Sequence, residues 1–408
     1  MYVRLLETRK VLLHPVTEKH RIFTRRFWLL CSSTIFFMCS FSMLLPELPG
    51  FLADLGGSEY VGWIIGLFTL NAFLSRFVSG RMADDAGRLK VIYIGTAVTA
   101  LAGFAYIFAW SVWIFLLIRF IHGISTGFRP TGTTAYLSDI VHISRRGEAM
   151  GFLGVAGNAG MAIGPAIGSV VRVHYGYDAM FLASSGLGII AFILSLFLKE
   201  TIPNPKPLKW HYFNVFKGKL VDLSSWPAAI ALLPIAFAFG IFLTVTPDFV
   251  GDLGYTYRGA FNTIIVVSSI ATRIFAGKVS DKYGRIPPLI IGSVLLAVGM
   301  FIVSIAETPQ VANIGGVIYG ISAGINMPSI FAWTVDFAKP GKTAMALGTM
   351  LMALEVGIGL GAVISGSMYA GDLSMIPVTY QLAAFLAFLG AIVLVFMKRR
   401  YHTGAVSE

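Results

Sequence analysis

Leu74-Ser75-Arg76-Phe77-Val78-Ser79-Gly80-Arg81-Met82-Ala83-Asp84-Asp85-Ala86-Gly87-Arg88 realigns without a gap on Ala271-Thr272-Arg273-Ile274-Phe275-Ala276-Gly277-Lys278-Val279-Ser280-Asp281-Lys282-Tyr283-Gly284-Arg285. The offset, 277 − 80 = 197, also carries Gly123-Ile124-Ser125 onto Gly320-Ile321-Ser322, Asp139 onto Asp336, and Gly160 with Gly164 onto Gly357 with Gly361. Chance similarity does not hold one register across four separated segments, so the chain is two copies of one unit.

What each copy contains follows from hydropathy. With 56% hydrophobic residues, 12% charged residues and a mean hydropathy of +0.77, the chain carries more apolar surface than a soluble globule can hide. Apolar runs of about twenty residues, long enough to cross a bilayer, fall near 27–51, 60–79, 91–109, 112–136, 149–171 and 178–198, and again near 227–250, 258–276, 288–306, 310–335, 344–369 and 376–397. These are spans one to twelve. The runs are continuous instead of alternating, which predicts helices and not barrel strands. The expected fold is an all-α membrane protein of twelve transmembrane helices in two pseudo-symmetric six-helix bundles, 27–198 and 227–397. An N-terminal arm (1–26), a linker (199–226) with three prolines and five lysines, and a tail (398–408) complete the chain.

Lys and Arg crowd one side of this layout. They fill the arm, the linker, the tail and the connections after spans two, four, eight and ten, whereas only Arg172 and Arg258 flank connections on the other side. Positive charge in short loops resists translocation, so both termini are expected in the cytoplasm, in a multi-pass protein of the cell membrane. The net charge of +11 is then a consequence of topology and attraction to anionic lipid, not a nucleic-acid footprint. A long basic arm followed by an apolar run of full length predicts a retained anchor and not a cleaved signal. Cys31 and Cys39 share span one and read as small packing residues, offering neither a disulfide framework nor metal-ligand spacing.

The loop after span two, Gly80-Arg81-Met82-Ala83-Asp84-Asp85-Ala86-Gly87-Arg88-Leu89-Lys90, with its copy after span eight, resembles the signature of the major facilitator superfamily; Met82 replaces the usual Leu. The likeness extends over nearly the whole chain. It implies the major facilitator fold and a secondary transporter, not an enzyme. It also implies that Gly80, Asp84, Gly87, Arg88 and Lys90, with Gly277, Asp281, Gly284 and Arg285, form a latch between the halves. Glycines permit the tight connection, and Asp84 is expected to cap the next helix.

Span five reads Gly151-x8-Gly160-x3-Gly164-Pro165-x2-Gly168-Ser169, similar to the antiporter motif of the drug/proton antiporter branch with Ser169 for its final Gly. Small residues at this spacing let a neighbouring helix approach closely, and ordinary small-residue packing would explain them as well. Pro165, however, is matched by Ala362 in the second half, which favours a specific role. The resemblance therefore implies export by proton antiport.

Charge inside a span is costly and marks function by default. Arg119, within Arg119-Phe120-Ile121-His122-Gly123, resembles the family's span-four motif tied to proton coupling; its repeat partner is Gly316, and His122 replaces the usual Gln. Glu47, between Pro46 and Pro49, is expected at a similar depth, either paired with Arg119 or as a wetted residue at the helix mouth. Glu355 in span eleven, matched by Asn158, reads as a proton carrier, a site for a cationic substrate group or a structural hydrogen-bonding group. Arg129, also in span four, is ranked lower because its long side chain can snorkel.

His122, Ser125, Asn158 and Asn326 are the candidate substrate-binding residues. Such a lining suits a small amphipathic organic molecule, a drug-like compound or metabolite, without naming it. An importer or facilitator of a sugar or amino acid, and a metallophore exporter, remain alternatives. The remaining histidines are scattered with no metal or nucleophile spacing, so no catalytic centre, metal or cofactor is expected. The partners expected are a small-molecule substrate, protons and the lipid bilayer, with no nucleic acid and a monomeric chain driven by the proton gradient.

Overall fold

The structure, a computed structural model, describes residues 22–142, 145–207, 225–338 and 343–403. Among these residues there are twelve membrane-spanning helical segments and no strand. Span one is Arg25–Ser42 with a short continuation, Leu48–Asp54; spans two to four are Val61–Asp85, Arg88–Ala105 and Val112–Ile140. Spans five and six form one run, Arg146–Leu196, interrupted at Gly176, where φ is +84°. The second half follows as Trp226–Asp252, Gly259–Tyr283, Ile286–Ser304, Pro309–Phe337, Thr343–Tyr369 and Ile376–Thr403. The parts of the expected arm, linker and tail at 1–21, 208–224 and 404–408 lie outside the described residues.

Span one departs from the uninterrupted helix expected over 27–51. Its α-helix stops at Ser42, and the chain turns through Met43–Glu47 before Leu48. Pro46 has no N–H to continue the ladder, and the turn closes through i→i+3 bonds from Leu45 N to Ser42 O and from Glu47 N to Leu44 O.

The repeat read in the sequence is repeated in backbone geometry. The positive-φ glycines pair as Gly56 with Gly254, Gly87 with Gly284 and Gly176 with Gly371, one pair at each of three equivalent turns. Arg88 Nε meets Asp139 Oδ2 at 3.0 Å in the first half, and Arg285 Nε meets Asp336 Oδ2 at 2.9 Å in the second.

The halves meet along two seams, span two against span eleven and span eight against span five. At the end of the bundle remote from the basic loops both seams are shut by backbone-to-backbone approach. A Cβ on Gly62 would stand 2.5 Å from Ala362 O and 3.0 Å from Gly366 Cα; its repeat mate Gly259 faces Pro165 O and allows no Cβ at all. Toward the basic end the seams part, since a Cβ on Gly80, Gly151 or Gly348 would meet nothing within 4 Å.

The outer surface is apolar, with Leu101, Phe275, Phe385 and Phe396 exposed as lipid contacts. Exposed Trp110, Trp113 and Tyr175 lie toward one end and Trp28, Trp226 and Tyr283 toward the other, the distribution that interfacial aromatic belts take.

Candidate functional site

Span eleven positions Glu355 near its middle, where the side chain is 7% exposed. Arg76 reaches it from span two, Nη2 to Oε1 at 2.5 Å, and is itself 9% exposed. Among the described residues this is the ion pair that joins the two halves. In a low-dielectric seam each charge offsets part of the other's desolvation cost, and removing either would strand its partner. Arg76 was not singled out from the sequence. Its signal was present all the same, as a charge inside the expected span 60–79 and aligned with Arg273.

The repeat places Arg273 of span eight and Asn158 of span five at the equivalent point of the second seam. Arg273 Nη1 lies 3.6 Å from where a Cβ of Gly154 would be, one helical turn from Asn158 on the same face. Among the described residues Arg273 makes no hydrogen bond or ion pair, and its buried Nε and the buried Nδ2 of Asn158 are both without partners. Neutral hydrogen bonds hold this seam farther from the basic end. Gly259 N donates to Ser169 Oγ at 2.8 Å, and Thr263 Oγ1 donates to Ala162 O at 2.9 Å.

Neither reading of Glu47 is met: it does not pair with Arg119, and at 1% exposed it is not a wetted residue at the helix mouth. The turn after Ser42 directs Glu47 toward span five, where Ser169 Oγ donates to Oε1 at 2.5 Å and Arg172 Nε stands 3.5 Å from Oε2. Arg119, fully buried, donates from Nε to Ile64 O at 2.9 Å and from Nη1 to Tyr106 Oη at 3.3 Å. Its guanidinium carbon lies 4.6 Å from the Phe68 ring centroid, so a π face and neutral oxygens take the place of a carboxylate.

His122 sits beside it, Nδ1 3.2 Å from Tyr106 Oη, edge-on to Phe41 and Phe68. Ser125, three residues on, is buried with an unpartnered Oγ. Thus Arg119, His122 and Ser125 belong together on span four. Asn326 does not join them: it packs against Gly292 of span nine and donates to Ser322 Oγ at 3.1 Å, inside the second bundle. Its repeat mate Arg129 is likewise internal, bonded by Ser33, Ser195 and Thr96.

The span-five glycines do admit a close neighbour, and it is span one. Cβ atoms on Gly160, Gly164 and Gly168 would run into the backbone at Ile35, Cys39 and Met43, respectively, whereas Gly151 meets nothing. The second half repeats the contact with Gly357 and Gly361 against span seven. Close packing is therefore generic to the fold, and Pro165 is what distinguishes the first half.

In the loop after span two, Asp84 does not cap the next helix. It pairs with Arg88 at 2.5 Å, and Glu200 of the linker accepts from Arg88 N and Leu89 N at 3.1 Å and 3.0 Å instead. Lys90 Nζ donates to Lys206 O at 3.0 Å. These partners belong to the first half and the linker, and none to the second half. The side chain of Asp281, and Gly277 beyond its helical backbone, lie outside the described residues; Gly284 (φ +84°) and Arg285 repeat the positions of Gly87 and Arg88.

A sequence model described as Major Facilitator Superfamily matches residues 30–343 and 259–407. The chain is 25% identical over 375 residues to the MFS-type transporter YhhS of Escherichia coli (strain K12), covering 87% of this chain and 88% of that one. It is 28% identical over 203 residues to the quinolone resistance protein NorA of Staphylococcus aureus, covering 49% of this chain and 51% of NorA. To multidrug resistance protein 2 of Bacillus subtilis it is 26% identical over 273 residues, 64% of this chain and 68% of that protein. In fold it is similar to the human organic anion transporter MFSD10 (TETRAN), with a TM-score of 0.67 at 18% identity, covering 91% of this chain and 99% of that one.

Proposed function

This chain belongs to the major facilitator superfamily of multi-pass membrane transporters, and from that premise we propose that it exports a small amphipathic organic molecule in exchange for protons. The observation that carries the reading is the buried pair between Arg76 and Glu355 across a seam that must open and close. With Glu355 ionised the pair ties span two to span eleven. Protonation of the carboxylate removes the attraction and frees the seam to part, a two-state element biased by a proton.

Alternating access supplies the rest. The seams are shut at one end and parted at the basic end, and basic loops face the cytoplasm in most membrane proteins. The state described is then the inward-facing one, in which substrate enters from the cytoplasm of a cell membrane. The resistance proteins among the relatives support export over uptake. In this state the loop of Gly80, Asp84 and Arg88 holds its own half, and the latch with the second half forms when the basic end closes.

The test is transport in inverted vesicles with an imposed pH gradient, acid inside. A substrate should accumulate with the gradient and cease to do so when a protonophore collapses it. Accumulation indifferent to the gradient would sink the antiport reading.

A further inference from the structure

We infer that the seam between spans five and eight holds an anion-binding subsite, formed by Arg273 and Asn158, that takes the carboxylate, sulfonate or phosphate group of the transported molecule. The inference rests on the export reading and narrows it to organic anions.

The repeat acts as an internal control. Both halves place an arginine at the same point of a seam, Arg76 and Arg273, and both leave its Nε without a hydrogen bond. In the first seam the terminal fork of the guanidinium is engaged by Glu355. In the second the acid is replaced by Asn158, which supplies another N–H donor in place of a negative charge. Two donors and one full positive charge thus stand within about one helical turn of each other where the first seam has an ion pair of zero net charge. A cation set in a low-dielectric seam without a counter-ion is costly, and the cost is relieved when a ligand brings the missing charge.

Room for such a group exists. Gly154 leaves the span-five face bare beside Arg273, and Gly151, one turn toward the basic end, borders open space. An oxyanion accepting from a guanidinium fork and a side-chain amide is a charge-assisted, geometrically specific arrangement. A substrate ammonium would meet Arg273 as a like charge here, and across the molecule it would find Glu355 already engaged by Arg76.

An anionic lipid headgroup entering between the helices would present the same chemistry, so the experiment separates the two sources. Purified full-length protein is placed in nanodiscs of phosphatidylcholine, and binding of 1-naphthylacetate and of 1-naphthylmethylammonium is followed by the shift in unfolding temperature. The carboxylate should bind and the ammonium should not.

Arg273→Gln should weaken carboxylate binding by about tenfold or more, and Arg273→Lys should retain part of it. Should the glutamine variant fail to fold, Asn158→Glu serves independently. It rebuilds the first seam's pair in the second and should abolish carboxylate binding while keeping or raising the unfolding temperature.

Added phosphatidylglycerol that competes with the probe in the wild type but not in Arg273→Gln assigns the subsite to a lipid headgroup. Absence of competition assigns it to a soluble anion. Carboxylate binding unchanged in both variants, preferential binding of the ammonium, or no Arg273-dependent binding of naphthylacetate, naphthalenesulfonate or naphthyl phosphate at millimolar concentrations would overturn the proposal. Glu355-dependent gradient coupling is read separately in vesicles, so the anion site and the antiport reading fail independently.

Discussion

The two seams are built from the same repeat and hold together by different means. Between spans two and eleven, a buried ion pair sits near mid-helix and bare backbone contact closes the far end. Between spans five and eight, the far end carries hydrogen bonds through Ser169 and Thr263 while the mid-helix arginine goes unanswered. Descent from one unit makes each seam the other's reference state. A residue that does the same thing in both, such as Gly62 and its mate Gly259 at the closed end, belongs to the common frame of the fold. One present in a single seam, such as Glu355, sets what that seam responds to.

The largest effect is expected from erasing the acid. Glu355→Gln turns the first seam into an imitation of the second and strands Arg76, which is 9% exposed. Removing one partner of a buried pair costs about 3–5 kcal/mol, so the unfolding temperature should fall and gradient-driven transport should be lost. Arg76→Gln together with Glu355→Gln should recover part of the stability without restoring coupling. Wild-type stability and pH dependence in Glu355→Gln would mean that the seams are equivalent and the acid incidental.

Much of this was legible in the sequence, because hydropathy and a constant offset are one-dimensional signals. Spans two to twelve lie within several residues of their expected limits, span one being broken after Ser42, and Glu355 stood out as a deep charge whose repeat mate is neutral. The pairings were less legible. A search for differences between halves passes over Arg76, since Arg273 matches it, and nothing local announces a partner 279 residues away. The partners of Glu47 were hidden for a related reason. Depth alone suggested Arg119, but the direction of the side chain is set by the turn after Ser42, and that turn rotates it to Ser169 and Arg172.

A second effect should come from the closed end. Gly259→Ala places a methyl against Pro165 O, where only backbone can yield, and Gly62→Ala places one 2.5 Å from Ala362 O. Overpacking of this kind costs about 1–3 kcal/mol, enough to shift a two-state balance by about tenfold. Both variants should favour the state opened at this end. Labelling of Gly151→Cys by an impermeant maleimide from the basic side should fall, more for Gly259→Ala than for Gly62→Ala. Equal labelling in wild type and both variants would show that these contacts do not gate the seams.

Ser169 offers a smaller change in the same region, since its repeat mate is Gly366. Ser169→Gly removes the acceptor for Gly259 N and the donor to Glu47, leaving the first seam's bare contact in the second. The expected loss is about 1–2 kcal/mol for a buried amide and a carboxylate left short of one partner each. Maleimide labelling of Gly151→Cys should fall modestly, and gradient coupling should remain, because no charge has been removed. Loss of coupling would move the proton-responsive element from Glu355 to Glu47.

The smallest effect lies outside the seams, where the halves begin their third helices differently. Span nine opens Ile286-Pro287-Pro288, and prolines there have no N–H groups to satisfy. Span three opens Arg88-Leu89-Lys90, and the N–H groups of Arg88 and Leu89 are met by the Glu200 carboxylate from the linker. A charged acceptor at a helix N-terminus is favourable both as a cap and against the helix dipole. Glu200→Ala should therefore cost about 1 kcal/mol and release the linker from the loop at Asp85–Lys90. Glu200→Gln, which keeps one acceptor oxygen, should recover part of that loss. Limited proteolysis in the linker should speed up in the alanine variant and not in its span-nine analogue, Pro287→Ala. Equal cleavage in all three proteins would show that the linker is held by Lys206 and Lys90 instead of by the cap.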